Sequence, residues 1–448
     1  MKRNFKVLSL GTIALASGLL FRPAMAQDAQ TDSVSMGLDK VLEIALSDNP
    51  DIQVADKTIE IQKYAKKETI LGLFPTISVS ASGTDNLIIQ SIAMAGQVFK
   101  MGTDYSYGLS GTATLPLIAP QLWKTISLNQ EQVELALEQA RSSKVSTISQ
   151  VKKAFYQLLL ARDSYEVLLS SYTTADKNLT DTRNMYLNGQ VAEYDTLTAY
   201  VQKLSIEPNI LSAKNSVRLA EMQVKVLMGV DVAEPIRFEG HLSDYEEKLF
   251  SDLMILKEDT SLDDNTTLRQ LDLQKNQLVI SEKLNKLGYI PTLALSFTAG
   301  YSGMGDSFSP FDTKYYPYES LVLSFNWTLW DGGTKIMKTK QNKLSIESLD
   351  IQRDNVKKQL ELSIQSSLNS IETAAEQVVD NKASVYASER AYEISERRYQ
   401  VGAGTMLEMN SSETQRQSAR LQYVQSVYNF VTAQATLEET LGRVVTDK

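Results

Sequence analysis

Cysteine is absent from the chain, and histidine occurs once, at His241. The first absence excludes disulfide bonds, thiolate metal sites and an acylated N-terminal cysteine as a membrane anchor. The single histidine stands beside Gly240 in an acid-rich segment, where a lone exposed imidazole is usually inert. Phosphate-binding loops are also missing, because Gly332-Gly333 is followed by Lys335 without the required spacing. We therefore expect no enzymatic activity, no cofactor and no metal site.

Long apolar runs are also scarce. At the N-terminus a basic start (2–6) precedes an apolar run over 7–20 and an Ala-x-Ala sequence at 24–26, which predicts a secretory signal peptide over 1–26. Its removal would take four basic residues and no acid, changing the formal net charge from −9 to −13. That excess of acids argues against a nucleic-acid partner. No later run is long enough for a spanning helix, so any membrane crossing must use strands in a closed barrel.

The main positive feature is an internal duplication. Several short sequences occur twice, always 213 to 216 positions apart. They are Tyr-x-x-Gly at 186–189 and 399–402, Gly-x-x-Pro at 72–75 and 288–291, Asp-Asn at 48–49 and 264–265, and the glycines Gly229 and Gly442. A nearly constant offset over the chain predicts one architecture built from two tandem halves.

Each half contains two segments in which apolar residues alternate with small polar ones. They are 76–82 and 105–117, separated by an irregular stretch around Gly96 and Gly102, and 293–301 and 321–329. This alternation predicts β-strands, and the longer ones reach the roughly 9 to 11 tilted residues that cross a bilayer. A soluble sandwich would show similar alternation, but aromatic residues near the strand ends and the secretory signal favour a membrane barrel. Four strands are too few to close a barrel, so several chains must share one.

Long helices follow the strand pairs. Residues 121–187 and 335–401 contain almost no helix breaker, and each would form a helix of about 100 Å. Shorter helices are predicted at 194–228 and 406–441, after the Tyr-x-x-Gly sequences. These elements would form two antiparallel hairpins that turn at the glycines. Narrow apolar stripes, with many Ser, Gln, Asn and Thr residues between them, are typical of a helical wall with one hydrated side.

Across the predicted mature chain, these features resemble the TolC-type outer-membrane efflux protein family. The matching sequences are Leu-x-x-Ala-Leu…Asn-Pro at 42–50, both Gly-x-x-Pro strand entries, Trp-Asp-Gly-Gly at 330–333, both Tyr-x-x-Gly turns and the closing Leu441-Gly442. Each is weak alone, but their order and duplication are specific. The resemblance implies a mixed α/β membrane protein with four transmembrane β-strands and long α-helical hairpins per chain. It further implies a homotrimer with a 12-stranded barrel in the Gram-negative outer membrane and a 12-helix tunnel extending into the periplasm.

The resemblance also implies a function. Members of this family are outer-membrane exit ducts of tripartite efflux or secretion systems, which include an inner-membrane transporter and a periplasmic adaptor. We therefore expect passive conduction of substrates to the exterior by a protein in contact with outer-membrane lipid. The alternative is a non-conducting trimeric coiled-coil scaffold at the surface or in the periplasm. A trimeric autotransporter also donates four strands per chain, but those strands are contiguous, whereas the two pairs here lie in different halves.

With the resemblance, the patterns divide the chain into eight segments. They are the signal peptide (1–26), N-terminal periplasmic helices (27–75), the first β-strand pair (76–117), the first helical hairpin (118–229), an inter-repeat or equatorial linker (230–264), a second-repeat helix (265–290), the second β-strand pair (291–330), and the second helical hairpin with the C-terminus (331–448).

Asp195 and Glu408 occupy the same position in the two halves, six residues after the turn glycines. In the resemblance, acids in this region line the periplasmic constriction of the closed tunnel, and Tyr399 forms a hydrogen bond with Asp195. We therefore predict a periplasmic gate formed by Asp195, Tyr399 and Glu408. The alternative is that the two acids only stabilise helix N-termini. Gly404 and Ser411 stand where the family often has a basic residue and a second acid, so part of that charge network is missing.

The resemblance also implies that the tip of the tunnel docks onto the periplasmic adaptor. This assigns Tyr186, Gly189, Val401 and Gly402 to adaptor-docking tips. Both glycines are expected to need a backbone conformation that other residues resist. The pump would select the cargo, so this chain is not expected to specify it.

Overall fold

The computed structural model describes residues 34–94, 97–246 and 260–443. The segment assigned to a signal peptide, 1–26, lies outside the described residues, as does part of the inter-repeat linker, 247–259. The described residues form one large antiparallel sheet and two long helical hairpins, with small elements packed beside the hairpins.

Helices make up most of the described chain. They are α1 (Leu38–Asp48), α2 (Pro50–Leu71), α3 (Pro120–Leu187), α4 (Glu193–Met228), α5 (Thr266–Leu287), α6 (Thr334–Gln400) and α7 (Met406–Leu441). The predicted long helices are confirmed, with 68 residues in α3 and 67 in α6. Each is followed by a returning helix of 36 residues, α4 or α7, that packs against it. Among the described helices, none has the length and apolar character needed to cross a membrane.

One junction between helices occurs in both halves. In the first half, the Asn49 side chain caps the N-terminus of α2 by accepting backbone N–H groups of its first turn. The same side chain donates to the Leu227 carbonyl at the end of α4 (2.7 Å). Asn49 is 3% exposed, so both partners of its amide are protein groups at a buried position. The start of α2 is thereby fixed to the end of α4.

The second half repeats this junction with Asn265. Its side chain accepts the N–H of Leu268 in α5 and donates to the Thr440 carbonyl of α7 (2.7 Å). Each junction joins a 22-residue helix to a 36-residue one, and both helices pack against the same long helix. In each half, the 22-residue helix and the 36-residue helix together cover most of the length of the long helix, α3 or α6.

A glycine permits close approach at each junction. Gly229 ends α4 with φ 74°, and Gly442 ends α7 with φ 71°, both in the left-handed region. A Cβ at Gly442 would lie 2.5 Å from the Asp264 carbonyl oxygen, and one at Gly229 would collide with the Asp48 carbonyl oxygen. Both the backbone conformation and the lack of space therefore require glycine.

The strands form three sheets. They are β1 (Val34–Met36), β2 (Thr76–Asp85), β3 (Ser91–Met94), β4 (Gln97–Lys100), β5 (Tyr105–Ile118), β6 (Ile236–Phe238), β7 (Thr292–Gly305) and β8 (Tyr315–Asn326). The large sheet has the order β2-β5-β7-β8, and all its neighbours are antiparallel. The β5–β7 pair joins the two halves. Strands β2 and β8 are its two edges.

The register gives this sheet two different faces. Ile77, Ala113, Phe297 and Leu321 form one row across all four strands, and the neighbouring rows on this face are also largely apolar. On the opposite face hydroxyl groups pair between strands, as in the 3.1 Å contacts Thr112–Thr298 and Thr114–Ser296. The predicted alternation of apolar and polar residues is confirmed.

Two local predictions were wrong. The stretch around Gly96 and Gly102 was expected to be irregular throughout, but within it β3 and β4 pair as antiparallel strands. The last strand of the large sheet was expected to continue to residue 329, but it ends at Asn326. Trp327 leaves the sheet, and its indole N–H donates to the Tyr289 carbonyl (3.0 Å).

The main apolar core lies where the two hairpins pack together. Five of its side chains, Phe155, Leu158 and Leu159 of α3 with Phe430 and Leu437 of α7, are at most 2% exposed. Helix α1, the parallel pair β1–β6 and a 3-10 helix (Leu242–Tyr245) contribute side chains to the same core. The described part of the inter-repeat segment is therefore packed on the hairpins at this level.

A pair of glycine variants separates backbone strain from lack of space at the junction. Gly402 has φ 73°, nearly that of Gly442, but a Cβ there would meet nothing within 4 Å. We expect Gly402→Ala to cost about 1 to 2 kcal/mol, the penalty of the left-handed conformation. Gly442→Ala should cost ~1 to 3 kcal/mol more, because the junction must open. Thermal unfolding followed by circular dichroism measures both; equal losses would contradict the close approach.

Candidate functional site

Both hairpins turn by the same hydrogen-bonded motif. The N–H of Gly189 donates to the Tyr186 carbonyl (2.9 Å), and the N–H of Gly402 donates to the Tyr399 carbonyl (3.0 Å). In each turn the N–H of the residue after the glycine donates to the carbonyl of the residue before the tyrosine. The two hydrogen bonds together form a Schellman motif. The glycines have φ 68° and 73°, and a Cβ at either would meet no atom within 4 Å. The predicted need for a special backbone conformation is confirmed, and packing does not add to it.

Glu408 has a local role at the start of α7. Its backbone N–H donates to the Thr405 hydroxyl (3.2 Å), and its carboxylate accepts the Thr405 N–H (3.4 Å), forming a capping box. The Arg398 guanidinium lies 3.9 Å from the same carboxylate, which is about half exposed. Stabilisation of a helix N-terminus, the alternative considered for this acid, is therefore present. A role at a constriction stays a prediction for Glu408.

Tyr399 lies inside the hairpin ends. It is 6% exposed and packs in a small apolar cluster with Ala199, Tyr392, Met406 and Met409. Burial raises the pKa of its hydroxyl, the neighbouring Thr182 hydroxyl opposes this shift, and the charge of Asp195 raises the pKa further. Asp195 is thus close enough to act electrostatically on Tyr399.

The predicted hydrogen bond between Tyr399 and Asp195 was wrong. The Tyr399 hydroxyl is buried and has no hydrogen-bond partner with acceptable geometry, and the same holds for the Thr182 hydroxyl beside it. The Tyr399 ring packs in the apolar cluster, and the Asp195 carboxylate is partly exposed to solvent. An unpaired buried hydroxyl costs about 1 to 3 kcal/mol, so this arrangement is less stable than the bonded one would be.

Several large apolar side chains are exposed at the turns. Tyr186 is 41% exposed and Val401 77%, and Leu187, Tyr194 and Leu407 are at least 73% exposed. Exposed apolar side chains of this size are typical of an interaction surface.

A buried charged network lies further along α7 from the turn. Glu413 is 2% exposed, and its carboxylate lies 2.6 Å from the Arg416 guanidinium. The two groups are close but not aligned as a hydrogen bond, and both carboxylate oxygens of Glu413 lack a well-formed hydrogen bond. Arg416 also stacks on the Tyr392 ring at 4.0 Å and donates to the Thr174 hydroxyl of α3 (3.2 Å). One guanidinium therefore links α3, α6 and α7.

The ionisation of this network is shifted by burial. Burial raises the pKa of the Glu413 carboxyl above its ordinary value of 4.5, while Arg416 and the Ser171 hydroxyl oppose the rise. Burial also raises the pKa of Tyr392 to about 12. The Asn178 side chain donates a hydrogen bond to the Tyr392 hydroxyl (3.1 Å), which opposes this rise. Both shifts favour the neutral form, as expected where water is excluded.

Sequence reasoning found part of this site. It located both turns and the equivalent acids, and the structure brings Asp195 near Tyr399 but holds Glu408 in its own helix cap. It missed Glu413 and Arg416, because a Glu and an Arg three residues apart on a helix are usually a solvated pair. Asn178, an amide in the middle of a long helix, was one signal of a polar interior, and it donates a hydrogen bond to Tyr392.

Comparisons with known proteins agree with this architecture. The chain matches the family described as "Outer membrane efflux protein" over residues 41–230 and 259–443, which correspond to the two halves. It is 22% identical over 428 residues to the outer membrane protein TolC of Salmonella enteritidis, covering 92% of this chain and 83% of TolC. It is 21% identical over 433 residues to the probable efflux pump outer membrane protein TtgC of Pseudomonas putida, covering 90% and 82%.

Solved structures show the same fold. The CmeC outer membrane channel of Campylobacter jejuni superposes with a TM-score of 0.70 at 16% identity, covering 90% of this chain and 85% of that one. The outer membrane protein VceC of Vibrio cholerae superposes with a TM-score of 0.70 at 14% identity, covering 91% and 96%. The arrangement of one sheet and two long hairpins is thus shared at low sequence identity.

The raised pKa of Glu413 predicts a pH dependence of stability. A neutral carboxyl stabilises the folded hairpins relative to a charged one; this contribution is complete below the ordinary value of 4.5 and is lost as pH rises through the raised pKa. We expect the parent protein to gain thermal stability relative to Glu413→Gln as pH falls from 7 towards 4.5. The difference in melting temperature between the two proteins, measured over this range, should change; a constant difference would show that Glu413 titrates as a hydrated carboxyl.

Proposed function

Because the chain belongs to the outer membrane efflux protein family and is an outer-membrane efflux channel of the TolC type, we propose that three copies form a passive exit duct. In this proposal the sheets close into a 12-stranded barrel in contact with outer-membrane lipid, and the hairpins form a 12-helix periplasmic tunnel. Substrates pass from an inner-membrane transporter and a periplasmic adaptor to the exterior. No step of chemistry is assigned to this chain.

The observation that carries the proposal is the open sheet. Its edge strands β2 and β8 have no partner strand on their outer sides among the described residues, and such edges are templates for pairing with another chain. Strands β2 and β8 also run in opposite directions, because the four strands alternate. The β8 strand of one copy therefore continues with β2 of the next as an antiparallel pair, for any number of copies.

The exposed apolar face supports lipid contact. Ile77 and Val79 of β2 are 80% and 76% exposed, and Leu321, Leu323 and Phe325 of β8 are 60% or more exposed. All five lie on the same face of the sheet. The opposite face carries the paired hydroxyls, as expected for the lining of a hydrated pore.

The hairpins support a tunnel with a hydrated inner side. Along α6, a shallow groove is lined by Gln365, Ser366, Asn369, Ser370 and Thr373, none of which is charged. A lining of neutral polar groups holds water without binding ions or drugs strongly, which suits conduction. We propose that the tunnel narrows at the hairpin ends, with Asp195, Tyr399 and Glu408 as the gate residues of each copy.

Current recording in planar lipid bilayers tests two points together: whether the protein conducts, and which face of the sheet contacts lipid. The parent protein should give single-channel current steps. Leu323→Arg should reduce insertion, because an arginine on the lipid side of the midplane costs ~2 to 4 kcal/mol. Ser324→Arg, the adjacent residue on the other face, should insert normally and shift ion selectivity towards anions, because it places a positive ring in the pore.

Two outcomes of this experiment would contradict the proposal. A parent protein that assembles in the bilayer without current steps would instead be the non-conducting scaffold. Equal loss of insertion in Leu323→Arg and Ser324→Arg would show that the two faces were assigned wrongly.

We propose that the periplasmic adaptor docks on the exposed turns. We expect Gly402→Trp to leave the protein in the outer membrane but to abolish export, because an indole would cover the tip that the adaptor contacts. Gly402→Ala is the matched control, since it has the same backbone strain without the bulk and should retain export. Crosslinking of the turn to the adaptor measures docking directly. Normal crosslinking and export in Gly402→Trp would overturn the docking role of Tyr186, Gly189, Val401 and Gly402.

A further inference from the structure

A group of possible metal ligands lies away from the turns, between α3 and the inter-repeat linker. Asp163 and Glu166 are one helical turn apart on α3, and His241 precedes the 3-10 helix of the linker. One ligand atom of each lies within 4.8 Å of the other two. We propose that Asp163, Glu166 and His241 bind a divalent transition-metal ion of the zinc type.

The closest pair has nearly the spacing suited to an ion. His241 Nδ1 lies 2.9 Å from Asp163 Oδ1. Two ligand atoms on a tetrahedral ion with bonds of about 2.1 Å are about 3.4 Å apart. An ion would therefore replace the proton between this pair if the two side chains separate by about 0.5 Å. Because protons and metal compete for the same imidazole and carboxylate groups, binding weakens at acidic pH.

The backbone around the histidine is fixed to α3. The other carboxylate oxygen of Asp163 accepts the Leu242 N–H (2.9 Å), and the His241 N–H donates to the Asp244 carboxylate (2.7 Å). On the preceding side, Arg162 donates to the carbonyls of Phe238 and Gly240. These bonds hold the linker against α3 before any ion arrives, and a prepared ligand geometry lowers the cost of binding.

Solvent can reach the cluster. The His241 side chain is 49% exposed, and Glu166 is an exposed residue with no hydrogen bond or ion pair to another described residue. Asp163 is 11% exposed, so it is oriented by the protein while the other two ligands face water. The remaining coordination positions of an ion would be filled by water. Glu166 would turn to the ion without breaking a protein contact.

The donor set selects the class of metal. One imidazole nitrogen with two carboxylates suits zinc and neighbouring transition metals, whereas calcium and magnesium prefer oxygen ligands alone. No metal site is expected from the sequence, because His241 is the single histidine and a lone exposed imidazole is usually inert. Asp163 and His241 lie 78 positions apart in the sequence, so the cluster forms only when the linker packs on α3. An ion here would connect α3 of the first half to the segment that leads into the second.

Because His241 is the only histidine and cysteine is absent, the experiment has a single nitrogen ligand to follow. The full chain, purified in detergent without a histidine tag and stripped with a chelator, is titrated with zinc chloride by calorimetry. We expect one saturable zinc ion per chain and an X-ray absorption spectrum with one imidazole and oxygen ligands. Zinc should also raise the melting temperature and protect His241 from diethyl pyrocarbonate, with modification measured by mass spectrometry.

Conservative variants assign the ligands. Glu166→Gln and His241→Gln should each weaken zinc binding at least about tenfold and abolish the zinc-dependent rise in melting temperature. Glu376→Gln, which removes an exposed carboxylate from α6, is the matched control and should bind zinc as the parent does. Zinc binding that is unchanged in both cluster variants would overturn the proposal. Displacement of zinc by an equal concentration of calcium would also overturn it, because the site would then be an oxygen cluster without a role for His241.

Discussion

The helical wall depends on the two junctions at which an asparagine joins the start of one helix to the end of another. Helices α4 and α7 have 36 residues and cannot cover the 68 or 67 residues of the long helices beside them. Helices α2 and α5 cover much of the remainder, but they come from other parts of the sequence. Asn49 and Asn265 resolve this discontinuity, because one amide accepts the N–H groups of the starting helix and donates to a carbonyl of the ending helix. Few side chains have both functions at so short a reach.

The same duplication that creates two hairpins creates the sheet. Each half contributes two strands, and β5 and β7 pair across the boundary between halves, so the halves are joined by backbone hydrogen bonds. The pairing places apolar rows on one face and hydroxyl pairs on the other, which a shift of one residue would destroy. Two antiparallel pairs also leave edge strands of opposite direction. The proposed association of copies would complete this sheet, which accords with membership of a family of outer-membrane channels.

The hairpins differ in composition along their length. At the level of Phe155 and Phe430 the interface is apolar and fully buried, and burial of large side chains stabilises it strongly. Near the turns the interface contains Glu413, Arg416, Tyr399 and Thr182, with several polar atoms that lack well-formed hydrogen bonds. Such groups reduce local stability, so rearrangement costs less at the hairpin ends than at the core. The part of the wall proposed to open is therefore the part with the weakest interior.

The sequence by itself determined the duplication, the length of both long helices, the alternation of the strands and the glycines of the turns. These features depend on local periodicity and on backbone conformations that few residues adopt. Tertiary structure alone decided the pairing of Asn49 with α4, the burial of Glu413, the unpaired hydroxyl of Tyr399 and the meeting of Asp163 with His241. In each of these cases the partners lie on different helices or across a linker, and an exposed helix residue has the same local pattern as a buried polar one. Their environment is set by which helices pack together, and that information is not contained in the periodicity of any single segment.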